Sequence, residues 1–446
     1  MGKCRPIESF STKVTLGWKS PPLCCSPLLL LQNLFRVPLY RYKMWWVLAM
    51  ACVFHVTGNV HCWFAEVRPD NPEAHLNVSQ LISYWGYPSE EYEAITQDGY
   101  ILKINRIPHG KTNGPHSGRR PVVFLQHGFL LTASSWISNL PNNSLGFLLA
   151  DAGYDVWLGN SRGNIWSRKH LYLLPDSKEF WSFSYDEMAK YDLPAILDLI
   201  NKETRQKKVY YVGHSQGTTI AFAAMSANPK VTERIKINFA LAPISILNDL
   251  HGPTLLLAQL PATLFKLLFG EKEFLPNNFL VRFIGQDLCN REFFSSICDN
   301  FLLVLGGFNT INFNKSRVDI YLSQNPAGSS VQDLQHFLQT IRSKRFEIYD
   351  WGSPALNMKY YNQSTPLPYD TSKVKVPTAI WFGGKDLLSG PKDVKQLLSK
   401  LPNVIHQKLI PHYNHFDFVW GNDTYSQIYS EIIAILNHHL ENSKRI

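Results

Sequence analysis

Several things are missing from this 446-residue chain. No two cysteines stand in a C-x-x-C arrangement, no heptad, collagen or solenoid period runs along it, and no apolar run reaches the about 20 residues of a membrane-spanning helix. These absences argue against a cysteine-ligated metal site, a repeat or fibrous architecture, and a stable transmembrane span. Charged residues are also scarce, at 18%, and unevenly placed. Residues 1–43 hold seven Lys/Arg against Glu8 alone, a net +6, so only +3 of the formal +9 is left for the remainder. A nucleic-acid partner loses its main support once that segment is set aside. What is abundant is apolar: 45% hydrophobic and 13% aromatic residues can bury a sizeable core, which a disordered chain cannot do.

Residues 44–62 read MWWVLAMACVFHVTGNVHC after Arg41-Tyr42-Lys43. A basic flank, about a dozen apolar residues and then small side chains predict a signal peptide, cleaved after Gly58 or, preferably, Cys62. A buried helix opening a domain is the rival reading. Residues 1–43 form an atypical extension, most simply accounted for by translation from Met44, with an uncleaved signal-anchor as the alternative. Of seven cysteines, cleavage after Cys62 leaves only Cys289 and Cys298, with eight residues between them and easily closed as a disulfide in an oxidising compartment. Five N-x-S/T sequons, at Asn77, Asn142, Asn314, Asn362 and Asn422, are glycosylation candidates on the same condition.

Beyond the signal, residues 91–108 alternate polar and apolar residues around Asp98-Gly99, a β-hairpin pattern. Strand-like runs at 121–126, 153–158 and 208–212 then alternate with helical periodicity at 186–201 and 216–228. That rhythm predicts a mostly parallel sheet covered on both faces. It lapses for about 125 residues after Ser245, where apolar helical stretches such as 255–269 are broken by Pro261 and glycines. Strand patterns return at 377–382 and 406–411, followed by an amphipathic helix at 424–440. The expected organisation is an α/β core, residues 63–245 and 371–446, interrupted by a mostly helical insertion.

Residues 208–219 read KVYYVGHSQGTT and contain Gly213-His214-Ser215-Gln216-Gly217, a G-x-S-x-G pattern. The bare pattern arises by chance in roughly one chain in seven of this length, so the strand before it and the helix after it carry the weight. A strand turning directly into a helix forces the serine into strained backbone and lifts its hydroxyl above the sheet. Such a serine needs a base, and the base an orienting carboxylate, in the order Ser, Asp/Glu, His. Asp386, just beyond the 377–382 strand, is the candidate acid, with Asp370 and Asp393 as surface alternatives. His412 and His415 both remain candidates for the base. For the oxyanion, the Gln216 N–H and the Phe129 N–H after His127-Gly128 are placed to donate. This chemistry needs no metal and no cofactor.

With these residues assembled, the chain resembles the acid lipase family, the gastric and lysosomal acid lipases and their epidermal relatives. The likeness runs from about Asn77 to Asp423. It rests on Tyr84–Pro88 (YWGYP), Asp98–Leu102 (DGYIL), Phe124–Gly128 (FLQHG), Asn139–Ser144 (NLPNNS), Asp155–Gly163 (DVWLGNSRG), Asp186–Pro194 (DEMAKYDLP), the Ser215 elbow, Asn325–Gly328 (NPAG), Tyr349–Gly352 (YDWG) and the segments around Asp386 and His415. The resemblance implies an α/β-hydrolase fold with a cap at 246–370, including a lid near 277–306 that holds the cysteine pair. It further implies Ser215, Asp386 and His415 as the triad, Phe129 and Gln216 as oxyanion donors, neutral lipid esters presented at a lipid–water interface as substrates, and a secretory or lysosomal setting. Phe129 stands where the family usually has leucine, Gln324 where it commonly has histidine, and Gly306 where some members keep a free cysteine; the 43-residue leader is not a family feature. Two rival readings are a catalytically silent lipid-binding protein on the same fold and another acyl-transfer enzyme, a thioesterase or acyltransferase.

Overall fold

The computed structural model describes residues 71–114, 118–250, 253–277 and 312–445. The leader, the signal segment, Cys289, Cys298 and nearly all of the expected lid lie outside the described residues.

The chain opens with helix α1 (Val78–Tyr84), capped by Asn77, whose side chain accepts the Gln80 N–H while the Gln80 side chain accepts the Asn77 N–H. Strands β1 (Glu90–Ile95) and β2 (Tyr100–Ile107) then form the expected hairpin, paired from Glu90↔Arg106 to Ile95↔Ile101. Its turn is held by Thr96, which hydrogen-bonds the Asp98 carboxylate at 2.6 Å.

The main sheet continues through β3 (Val122–Gln126), β4 (Asp155–Gly159), the two-residue β5 (Lys169–His170), β6 (Val209–His214) and β7 (Ile235–Leu241). After the insertion it is completed by β10 (Thr378–Gly383) and β11 (Val404–Ile410). Spatial order is β1-β2-β4-β3-β6-β7-β10-β11, with β5 beside β2. Every pairing from β4 to β11 is parallel, and those of β1, β2 and β5 are antiparallel. Alternation explains how strands without a polar face are accommodated. Val123, Leu125, Val212, Phe239 and Trp381 pack into one core, and Val122, Phe124, Tyr211, Ala240 and Ile380 into the other. Helices α2 (Leu145–Asp151), α3 (Leu193–Thr204) and α4 (Gln216–Ala227) connect the strands. The helical pattern expected from Asp186 starts as a short turn at Tyr185–Glu187, passes through a π turn at Met188–Asp192 and only then becomes α3.

Between β7 and β10 the regular structure of the described residues is mostly helical. They include α5 (Pro253–Ala258) and α6 (Ala262–Phe269), separated at Pro261 as the sequence requires, then α7 (Val318–Gln324), α8 (Val331–Ser343) and α9 (Pro354–Tyr361). A two-residue pairing of β8 (Glu273–Phe274) with β9 (Ser329–Ser330) joins the segment after α6 to the start of α8. The apolar cluster of Phe265, Phe274, Leu334 and Leu338 extends onto Phe129 and Leu130 of the core, so the insertion packs over the loop that leaves β3. Helices α10 (Pro391–Lys400) and α11 (Ser430–Arg445) close the chain.

Candidate active site

In a parallel sheet all the loops at the carboxyl ends of the strands gather on one rim, where ligands bind in α/β folds. Here β3, β6, β10 and β11 deliver His127–Phe129, Ser215, Asp386 and His415 to that rim. Ser215 sits between β6 and α4 at φ 52°, ψ −119°, a conformation that costs on the order of 1–3 kcal/mol and persists only where its surroundings enforce it. Enforcement is visible: the Ser215 N–H donates to the Leu241 carbonyl at 3.0 Å, and the Ser215 carbonyl accepts the Thr218 hydroxyl at 2.6 Å. The helix start lies so close to β3 that a side chain on Gly217 would collide with the Gln126 carbonyl.

The two later loops bring a carboxylate and an imidazole to this serine. His415 Nε2 lies 2.7 Å from Ser215 Oγ, and His415 Nδ1 lies 2.8 Å from Asp386 Oδ2. Asp386 Oδ1 accepts the N–H groups of Leu388 and Ser389, each at 2.8 Å, which fixes the carboxylate plane. With Oδ2 facing it, Nδ1 is the ring nitrogen that carries the proton, leaving the Nε2 lone pair for the Ser215 hydroxyl. All three side chains are buried. The alternatives stand elsewhere. His412 pairs with Asp423 at 3.0 Å, Asp370 caps a turn at Thr371–Lys373, and Asp393 accepts the backbone N–H groups of Asn248 and Asp249 at 2.8 and 2.9 Å.

The β3 loop reaches the same point. A Cβ on Gly128 would stand 2.9 Å from that of Ser215, so the backbone leading into Phe129 runs directly against the serine. Two histidines that the sequence pattern does not single out for a role hold these loops. Buried His127 accepts the Ser161 N–H at Nε2, 3.0 Å, and therefore donates from Nδ1 to the Gly128 carbonyl at 2.8 Å. Burial lowers it to about 4, so it is neutral when it does so. His214 donates from Nε2 to the His415 carbonyl at 2.9 Å, and burial together with the neighbouring His415 holds it well below the usual histidine range. Both flank motif glycines in the sequence, the one signal that could have pointed to them.

Phe129 packs at ring distances of 6.2 Å from Phe274 and 5.7 Å from Phe337, both in the insertion. Beside the serine there is therefore an apolar wall. Among the described residues no group of three or more His, Cys, Asp or Glu is arranged to hold a metal ion. Of the sequons, Asn142, Asn362 and Asn422 are exposed, whereas Asn77 and Asn314 are half-buried and cap helical turns. Asn142, Asn314 and Asn422 line one cleft of about 370 Å³, whose lining includes none of Ser215, Asp386 and His415.

Fold and site together define an α/β-hydrolase. The family described as "alpha/beta hydrolase fold" matches residues 121–422, and a "Partial alpha/beta-hydrolase lipase region" matches residues 78–140. A candidate lipase from Sulfolobus solfataricus, known from its crystal structure, shares the fold at a TM-score of 0.52 and 15% identity, over 78% of this chain and 99% of that one. Gastric triacylglycerol lipase of Homo sapiens is 54% identical over 394 residues, 88% of this chain and 99% of that protein. Lipase member K of Homo sapiens is 52% identical over 399 residues, 90% of this chain and 100% of that protein. The chain belongs to the acid lipase family, and it is an enzyme of the lipase class, a carboxylic ester hydrolase.

Proposed function

We propose that this enzyme hydrolyses neutral lipid esters, acylglycerols or cholesteryl esters, through an acyl-enzyme on Ser215. The observation that carries the reading is the continuous relay from Ser215 Oγ through the His415 ring to Asp386. His415 takes the hydroxyl proton as Ser215 adds to the ester carbonyl. The N–H groups of Phe129 and Gln216 hold the oxyanion, and Asp386 steadies the imidazolium. His415 then gives its proton to the departing alcohol, and water, activated by the same imidazole, releases the fatty acid. The wall formed by Phe129, Phe274 and Phe337 supports a long acyl chain, since an apolar chain gains free energy there that a short ester does not. The intact relay weighs against a silent lipid carrier.

Ser215→Ala is expected to lower ester hydrolysis by about 10⁴-fold or more with folding unchanged, and to abolish labelling by a fluorophosphonate. Turnover should be greatest on long-chain triacylglycerol or cholesteryl ester and least on short soluble esters. Full activity in Ser215→Ala would overturn the nucleophile, and a preference for short esters would overturn the substrate class.

The setting follows the signal-like segment at 44–62. The reading is a secretory or lysosomal protein beginning near Trp63, with Cys289 paired to Cys298, and with glycans first of all on the exposed Asn142, Asn362 and Asn422. Among the described residues no helix is long and apolar enough to cross a membrane. Peptide mapping of protein recovered from a culture medium tests all three points. Retention of residues 44–62, free thiols at both cysteines, or unmodified asparagines would each remove one of them.

A further inference from the structure

In the mechanism above Gln216 acts only through its backbone N–H. Its side chain, however, has a specific destination. Gln216 Nε2 donates to Asp333 Oδ2 at 2.6 Å, joining the first residue of α4 to helix α8 of the insertion. The same oxygen accepts the Ser329 hydroxyl at 2.8 Å, and the Asp333 N–H is held at 2.9 Å by Ser330, the cap of α8. Asp333 is 0% and Gln216 2% exposed. Asp333 Oδ1 meets no hydrogen-bonding partner in good geometry, and no lysine or arginine among the described residues pairs with this carboxyl. A buried carboxyl supported by so few donors is costly, and a plain packing contact would not need one.

We propose that Asp333 is a positioning residue for the oxyanion hole: from the insertion it clamps the Gln216 side chain and so keeps the first N–H of α4 aimed at the developing oxyanion. This rests on Ser215 being the nucleophile. Gln216 and Ser329 both use Oδ2, so the clamp holds whether or not Oδ1 carries a proton. What protonation changes is the charge behind the hole. Burial pushes Asp333 up to about 7 against the donors Gln216, Ser329 and the Tyr185 backbone, and the Glu187 carboxyl adds to the rise. The other titratable groups around it are the Tyr185 hydroxyl, and His336 on its own helix, which burial holds at about 3 and therefore neutral. Below about pH 7 the clamp is neutral; above it, an anion opposes negative charge developing at the reacting carbonyl.

The experiment compares wild-type, Asp333→Ala and Asp333→Asn full-length protein. Sites are counted by fluorophosphonate titration, and kcat and KM are measured on a soluble p-nitrophenyl ester from about pH 5 to 9. Removing an oxyanion donor outright costs about 10²–10³-fold, so a donor merely released from its clamp should cost less. Asp333→Ala is expected to lower kcat per titrated site about tenfold, with KM within about twofold. Asp333→Asn keeps an acceptor without a charge. It should restore kcat at acid pH and lose the fall in kcat that the wild type shows above about pH 7. An unchanged kcat per site in Asp333→Ala, or an Asp333→Asn profile with the wild-type alkaline fall, would overturn the proposal. If Asp333→Ala does not fold, the Asp333→Asn profile decides alone. Failure of the wild type to react with the fluorophosphonate would instead remove the nucleophile on which the proposal stands.

Discussion

Among the described residues Arg162 is the most deeply buried arginine. Its guanidinium, with no exposed side-chain surface, donates to Asp98 at 2.6 and 3.0 Å and to Asp192 at 2.9 and 2.5 Å. Its face lies 4.0 Å from the centre of the Tyr100 ring. One cation thus joins the turn of the β1–β2 hairpin, the loop after β4 and the start of α3. At neutral pH both carboxylates are ionised against it, although burial raises Asp192 to about 6, and withdrawing it leaves both without a counter-charge in a poorly hydrated site. Arg162→Met is therefore expected to cost about 3–5 kcal/mol in urea unfolding, more than a lost surface pair of about 0–1 kcal/mol. Adding Asp192→Leu should recover part of that loss, because the stranded charge goes with it. A loss under about 1 kcal/mol in the single variant would mean that water reaches the pair.

At the level of elements, legibility follows how locally each feature is determined. The hairpin at Asp98-Gly99, the strands β3, β4, β6 and β10, and the Ser215 turn are readable because turn residues and unbroken apolar runs are local signals, whereas β11, interrupted by His406, Gln407 and Lys408, is read two residues late. β7 is not: Lys236 and Asn238 interrupt its apolar run, although Asn238 is fully buried within the sheet. The π turn ahead of α3 leaves no periodic mark, since one extra residue per turn shifts the phase without ending the helix. Within the site, Ser215 and Asp386 can be placed by their strands. Residue order alone does not choose His415 over His412, because both occupy one loop and only the third dimension points one toward Ser215 and the other toward Asp423. Asp333 is invisible in the sequence for a stronger reason. It acts on a residue 117 positions away, across a boundary that no local pattern crosses.

For the molecule as a whole, the buried titratable groups set how the fold responds to acid. Burial raises Asp186 and Asp333 to about 7, so each is protonated in the folded protein at pH values where the unfolded chain has released that proton. Their contribution is fully present below about pH 4 and is lost as pH rises toward 7. Burial lowers His127 to about 4 and His336 to about 3, so both stay neutral where the unfolded chain takes up protons. Their contribution is present above about pH 6.5 and is lost as pH falls. Each group alters stability by about 1.4 kcal/mol per pH unit inside its window, and the windows overlap with opposite sign. Burial also raises Asp192 to about 6 and holds His214 low, so between about pH 6 and 4.5 three carboxyls offset three histidines and little net change is left. Below about pH 4 the carboxyls of the unfolded chain are protonated as well and His127 has completed its loss, so the decline continues through His336, His214 and carboxylates that the fold holds low, such as Asp98. The expected urea midpoint is thus nearly level from about pH 6.5 to 4.5 and drops below about 4, a profile suited to an acidic compartment. Replacing His127 and His336 by asparagine in a folded double variant should tilt the level stretch so that stability rises toward acid. A wild-type midpoint that declines steadily from about pH 6.5 would show that the carboxyls are ionised in the fold and that this balance does not operate.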